Sequence, residues 1–168
     1  MVPTEGMESL SLMMEQFRQE FSKESRGLSV VRELESGLPE DIGGEETLAR
    51  FVMSSSHYNA LGIKYAAFLP NPRNGETSVF RYAEQVAESL HAIGESVARH
   101  RGLQLHGTSL VLAQAVFDAS LRVVAAEPPP RHANIVGWPA IDSDPALQKA
   151  SQKERAMLIA QAASFARR

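Results

Sequence analysis

Residues 128–130 are Pro128-Pro129-Pro130, and no other stretch constrains the fold of this chain so sharply. None of the three has an amide hydrogen to donate, and each holds the residue before it in extended geometry, so no helix or central strand runs through this point. The elements on either side are therefore read separately. Leu121-Arg122-Val123-Val124 has the branched aliphatic content of a strand. Beyond the prolines, Ala133-Asn134-Ile135-Val136-Gly137-Trp138 is long enough for one more, closed by Pro139.

Elsewhere the punctuation is milder. Leu10, Met13, Met14, Phe17 and Phe21 recur at spacings of three and four, which predicts an amphipathic helix over residues 7–25, stopped at Gly27. Methionines make its apolar stripe adaptable, suited to a core contact or to a partner's groove. From Glu33 to Glu46 the chain carries six carboxylates and no base, with Gly37, Pro39, Gly43 and Gly44 among them. That composition resists packing and predicts a solvated acidic linker. Leu48, Phe51 and Val52 follow, in an element too short for periodicity to type as helix or strand.

The runs Lys64–Leu69 and Thr77–Tyr82 flank Pro70-Asn71-Pro72-Arg73-Asn74-Gly75-Glu76, the pattern of a hairpin with a long loop. Val86, Leu90, Ile93 and Val97 predict a helix from Ala83 to Arg101, with Arg99, His100 and Arg101 in its last turn and Gly102 after it. Leu103–His106 alternates as a short strand, and Ser109 is placed to cap a helix carrying Leu110, Ala113 and Phe117. Asp144 and Pro145 open a last helix with Leu147, Ala150, Leu158, Ile159, Ala162 and Phe165.

These elements sum to an α+β chain. Residues 1–46 make an N-terminal helical extension with its acidic linker, and residues 47–168 a core in which helices flank a small mixed or antiparallel sheet. Apolar residues at 43% and charged ones at 22% supply material for such a core. A net charge of -3 gives no bulk attraction to anionic lipid and argues against nucleic acid as a partner. The absence of cysteine excludes disulfides, thiolate nucleophiles and iron–sulfur clusters, and fits a cytoplasmic setting. The first residues lack the basic start and apolar run of a signal peptide. The stretch from Leu103, broken by His106, Gly107, Thr108, Ser109 and Gln114, is too polar for a membrane span, so no membrane is expected.

Chemistry concentrates between the two proline-defined bends. In extended geometry His132 and Asn134 share one face while Arg131 and Ala133 take the other. An imidazole beside a carboxamide can bind a phosphate or carbonyl oxygen, or move a proton. The same groups serve equally as ordinary loop and edge-strand bonds. Ser54-Ser55-Ser56-His57 sets hydroxyls next to a second imidazole, without the glycine-framed serine of a nucleophile elbow.

Among the five histidines no His-Glu-x-x-His and no i, i+4 pair occurs, so no metal is expected. Glycine-rich phosphate cradles are missing as well, and no cofactor is expected. Anion capture then falls to side chains: Lys64, Arg81, Arg99, Arg101 and Arg131. Arg81 ends a predicted strand, where a guanidinium can hold a phosphate or carboxylate through two parallel bonds.

Three segments, Lys64 with Ala67-Phe68-Leu69-Pro70, Ser78-Val79-Phe80-Arg81, and Pro130-Arg131-His132-Ala133-Asn134-Ile135-Val136-Gly137-Trp138-Pro139, resemble a group of small uncharacterised bacterial proteins. The likeness runs from Leu48 to the C-terminus and leaves the first helix and acidic segment outside. It implies a bacterial or phage source and carries no activity, so it assigns no role to any residue.

Two functions follow as expectations. The first is a non-catalytic module that engages a protein partner, or a second copy of itself, through Leu10, Met13, Met14, Phe17 and Phe21. The second is a metal-free enzyme, or a binding domain for a nucleotide or other phosphorylated ligand. There His132, His57 and Asn134 handle protons or oxygens while Arg81, Arg131 and Lys64 hold the anion.

Overall fold

The computed structural model describes residues 35–168, so the helix predicted over residues 7–25 lies outside the described residues. In chain order the elements are β1 (Thr47–Val52), a short hairpin of β2 (Tyr58–Asn59) and β3 (Gly62–Ile63), β4 (Thr77–Tyr82), α1 (Ala87–His100), β5 (Gly107–Leu112), α2 (Ala113–Asp118), β6 (Arg122–Ala125), β7 (His132–Val136), α3 (Pro145–Ala162) and β8 (Ser164–Arg167). Six strands form one sheet in the order β6-β7-β4-β1-β5-β8, and every neighbouring pair is antiparallel. The α+β class holds, and the sheet is antiparallel with no mixed pair.

Alternation along the strands sorts side chains onto two cores. Leu48, Val79, Val111, Ala133 and Ile135 point to the face covered by α2, α3 and Phe68. Ala49, Phe51 and Phe80 point to the other face, where α1 lays down Leu90, Ile93 and Ala98. The stop of α1 is a Schellman arrangement: Gly102, at φ 65, donates to the Arg99 carbonyl, and Leu103 donates to that of Ala98. The start of α3 is equally local, since the Asp144 carboxylate accepts from the Leu147 amide at 3.0 Å and Pro145 takes the first turn.

Tertiary packing overrides local pattern in several places. Residues Lys64–Leu69 are no strand: Tyr65–Ala67 is a 3-10 turn that sinks Ala67 and Phe68 into the core. The predicted hairpin is therefore absent, and β4 pairs with β1 and β7 instead. The intervening loop closes on itself, with Asn71 donating to the Glu76 carbonyl and Gly75, at φ 70, to that of Asn71. Leu103–His106 is also irregular. The strand starts at Gly107 and runs through Ser109, whose buried hydroxyl donates to the Ser164 carbonyl at 2.7 Å and caps no helix. Phe165 belongs to β8 and not to the last helix, which ends at Ala162.

The acidic segment differs from expectation too. Over residues 35–46 it is bonded to the core and is no solvated linker. Ser36 donates its amide and hydroxyl to Glu127, the Gly44 carbonyl accepts from Gln114, and the Glu46 carbonyl accepts from Ala113. One of its carboxylates, Glu46, finds specific donors in Arg81 and the Gly43 amide, which composition does not reveal. No helix among the described residues is long and apolar enough to cross a membrane.

Candidate functional site

Thr77, Val79 and Arg81 alternate inward on β4, so Arg81 is carried beneath the sheet, where it is 3% exposed. There its guanidinium is used up. Nε and NH2 each donate to Glu46 at 2.7 Å, and NH1 donates to the Pro39 carbonyl at 2.5 Å. Arg131 continues the ladder as the backbone partner of Arg81 and donates through NH1 to the Arg81 carbonyl at 2.8 Å. Its amide donates to Glu127, which also holds Ser36. The bond from Arg81 holds the Glu46 carboxyl below its usual range, against the opposing pull of burial. For Glu127 burial is the largest influence and acts upward, yet the donors from Ser36 and Arg131 together bring it below the usual range. Both arginines therefore fasten residues 36–46 and the proline loop to the sheet. Leu38, Ile42, Phe117 and Val123 line an adjoining cleft of about 780 Å³.

His132 and Asn134 lie on the opposite face, as alternation from Ala133 and Ile135 requires. The His132 ring stacks at 5.2 Å on Phe80. Its Nδ1 sits 2.9 Å from the Ala126 carbonyl, which only accepts, so Nδ1 carries the proton and Nε2 accepts the Ser78 hydroxyl at 2.8 Å. Burial lowers the His132 pKa below its ordinary value, outweighing the carbonyl bond and the charge of Glu76. The imidazole is thus neutral near pH 7, with a hydroxyl proton on its acceptor nitrogen. Beside it the Asn134 amide donates to Glu76 at 2.7 Å. A serine–histidine contact of this kind is the first half of a nucleophile–base pair, with a backbone carbonyl where a triad has a carboxylate.

His57 and Lys64 stand apart from both groups. His57 closes a 3-10 turn capped by Ser54, and the Lys64 amide donates to the His57 carbonyl at 2.8 Å. Burial, then the charges of Arg50 and Lys64, lower the His57 pKa. The structure thus joins Arg81 to Arg131 and sets His132 beside Asn134. No hydrogen bond links those pairs to His57.

Ser78 and Glu76 are the site residues that sequence reasoning missed. The alternation Glu76-x-Ser78-x-Phe80 was the available signal for both, once β4 is paired with His132-x-Asn134. Among the described residues no group of three His, Asp or Glu side chains is arranged to hold a metal ion. Comparison of the chain with protein-family models, with curated proteins and with solved structures finds no match in any of the three.

Proposed function

We propose that this chain is a non-catalytic protein-interaction module of bacterial or phage origin, engaging its partner through the helix that the sequence predicts over residues 7–25. The observation that carries the reading is that Arg81 and His132, the strongest candidates the sequence offered, spend their polar atoms inside the chain. Every nitrogen of Arg81 is bonded within the chain, Arg131 gives NH1 and Asn134 its amide to neighbours, and His132 has both ring nitrogens occupied. Reacting groups in an enzyme keep bonding capacity for a substrate. Large apolar side chains meanwhile stay in solvent, among them Leu61 at 96% on the tip of the β2–β3 hairpin and Leu158 at 48% on α3. Such surface suits association.

The test compares the full chain with a version lacking residues 1–34, which keeps every core bond described above. The truncated chain is expected to retain its urea midpoint and to lose association, read by sedimentation velocity and by retention on the immobilised partner. Equal association by both versions overturns the proposal.

A further inference from the structure

The β2–β3 hairpin pairs with itself and lies outside the six-stranded sheet, and a groove of about 550 Å³ separates it from the end of α3. Leu61 and Ile63 line the groove from the hairpin, Met157 and Ala160 from α3, and Phe165 from β8. Phe165 is braced by the Tyr58 ring, 5.0 Å away. Leu61 is almost wholly in solvent and Met157 is 41% exposed, so the groove is an open apolar surface. Burying such surface against a partner is favourable. Its polar border has one sign: Lys64 and Tyr65 line it, Lys153 Nζ sits 5.0 Å from the centre of the Tyr65 ring, and no acid is among the lining residues.

The same chain encodes a matching surface. In the helix predicted over residues 7–25, Leu10, Met13, Met14, Phe17 and Phe21 recur as the anchors of a helix laid in a groove. Glu20 and Glu24, three residues after Phe17 and Phe21, fall on one flank of that stripe, and Arg18 falls on the other. An apolar stripe with acids along one flank thus has its complement in an apolar groove bordered by lysines.

The helix of the same copy is poorly placed to fill it. The described chain starts beside β6, where Ser36 is held by Glu127, whereas the groove lies against β8, the opposite edge of the sheet. Five strand spacings put those edges about 24 Å apart, and rounding a helix layer adds about 10 Å. Residues 26–35 reach at most about 36 Å when fully extended. An intramolecular route therefore draws this segment taut, at a cost in chain entropy that a neighbouring copy does not incur.

We propose that the groove between the β2–β3 hairpin and the end of α3 receives the N-terminal helix of a second copy of this chain, in a reciprocal exchange. The inference rests on the interaction reading above and adds to it the partner and the receiving surface. Phe17 and Phe21 seat between Leu61 and Met157, where the small side chains of Ala160 and Ala163 leave depth, and Glu20 and Glu24 lie along the Lys64 border. A two-fold pair of this kind holds two identical contacts, and forming the first raises the effective concentration for the second.

Sedimentation velocity of the full chain over a concentration series tests it, with a reversible dimer expected. Leu61→Asp alters an exposed hairpin tip and leaves the core alone, which thermal melting checks; it is expected to weaken the dimer at least about tenfold, as is Phe17→Asp on the helix. The decisive arm mixes the two variants. Leu61→Asp keeps a sound helix and Phe17→Asp a sound groove, so the mixture is expected to form a dimer at a concentration where neither does so alone. A full chain that is monomeric throughout, whether its helix serves a foreign protein or its own groove, overturns the inference. So does a mixture that recovers nothing, or a dimer indifferent to Leu61→Asp but lost on removing residues 1–34; that last result leaves the helix as the contact and only the groove wrong. Undiminished association without residues 1–34 overturns the underlying reading instead.

Discussion

Arg81 and Glu46 meet through two parallel bonds of 2.7 Å, with the guanidinium 3% and the carboxylate 26% exposed. This contact closes residues 36–46 onto the underside of β4. Removing the acid strands a buried cation on the Pro39 carbonyl alone. Glu46→Ala is expected to cost about 3 kcal/mol, read from the urea midpoint of the full chain. A loss below about 1 kcal/mol would show that the pair behaves as an exposed one.

Acid should act on this chain in two stages. His132 is depressed by burial from its ordinary 6.5, so the folded state favours the neutral ring. Its contribution is whole above that value and declines as pH falls from 6.5 through the lowered folded pKa. Glu46 and Glu127 are depressed carboxylates, whose contribution is whole above the ordinary 4.5 and drains away below it. Urea midpoints measured against pH are expected to fall in both windows. Glu127→Gln flattens only the lower one, and a flattening near neutrality instead would contradict the assignment.

Ser78 and His132 give a spectroscopic expectation. Nitrogen chemical shifts of the imidazole should report a neutral ring at pH 7 with the proton on Nδ1. Ser78→Ala should move the Nε2 resonance while leaving the tautomer in place, because the Ala126 carbonyl and not the hydroxyl fixes it. An Nε2-protonated ring would mean that the Ser78 hydroxyl accepts, and would contradict this assignment.

Gly94 sits mid-helix in α1, where replacement by alanine ordinarily stabilises by up to about 1 kcal/mol. Here a Cβ would lie 2.9 Å from Cδ1 and 3.0 Å from Cε1 of Phe51, a ring already stacked at 4.9 Å on Phe80. The sign should reverse. Gly94→Ala is expected to destabilise by about 1–3 kcal/mol, the range for overpacking, measured by thermal or urea unfolding.

Local rules carried part of the fold. Gly102 and Asp144 mark the ends of α1 and α3 because their bonds are made within a few residues, and the triple proline separates β6 from β7 for the same reason. Ser109 and Lys64–Leu69 misled because their partners are distant: the Ser109 hydroxyl answers to Ser164, and Phe68 answers to a core assembled from both ends of the sheet. The candidate site divides in the same way. Alternation placed His132 with Asn134, whereas Arg81 was legible as a strand arginine but not as the ligand of Glu46. Arg50 gave no signal at all, since Leu48, Phe51 and Val52 make an element too short to type as helix or strand; its bonds to the Ala67 and Ser78 carbonyls come from the parting of β1 from β4, whose register ends at Ala49↔Phe80.

The strand order has a consequence for synthesis. β1 is made first, yet its two neighbours are β4, complete at Tyr82, and β5, complete at Leu112. A nascent chain emerging from the ribosome thus carries Leu48, Phe51 and Val52 with both flanks of that strand open until some thirty further residues supply the first neighbour, a rough count from the gap between Val52 and Tyr82. Sixty supply the second on the same rough reckoning, from Val52 to Leu112. Vectorial emergence makes this interval the window in which the chain is most exposed to chaperones and to self-association, and slower translation across residues 53–76 would lengthen it.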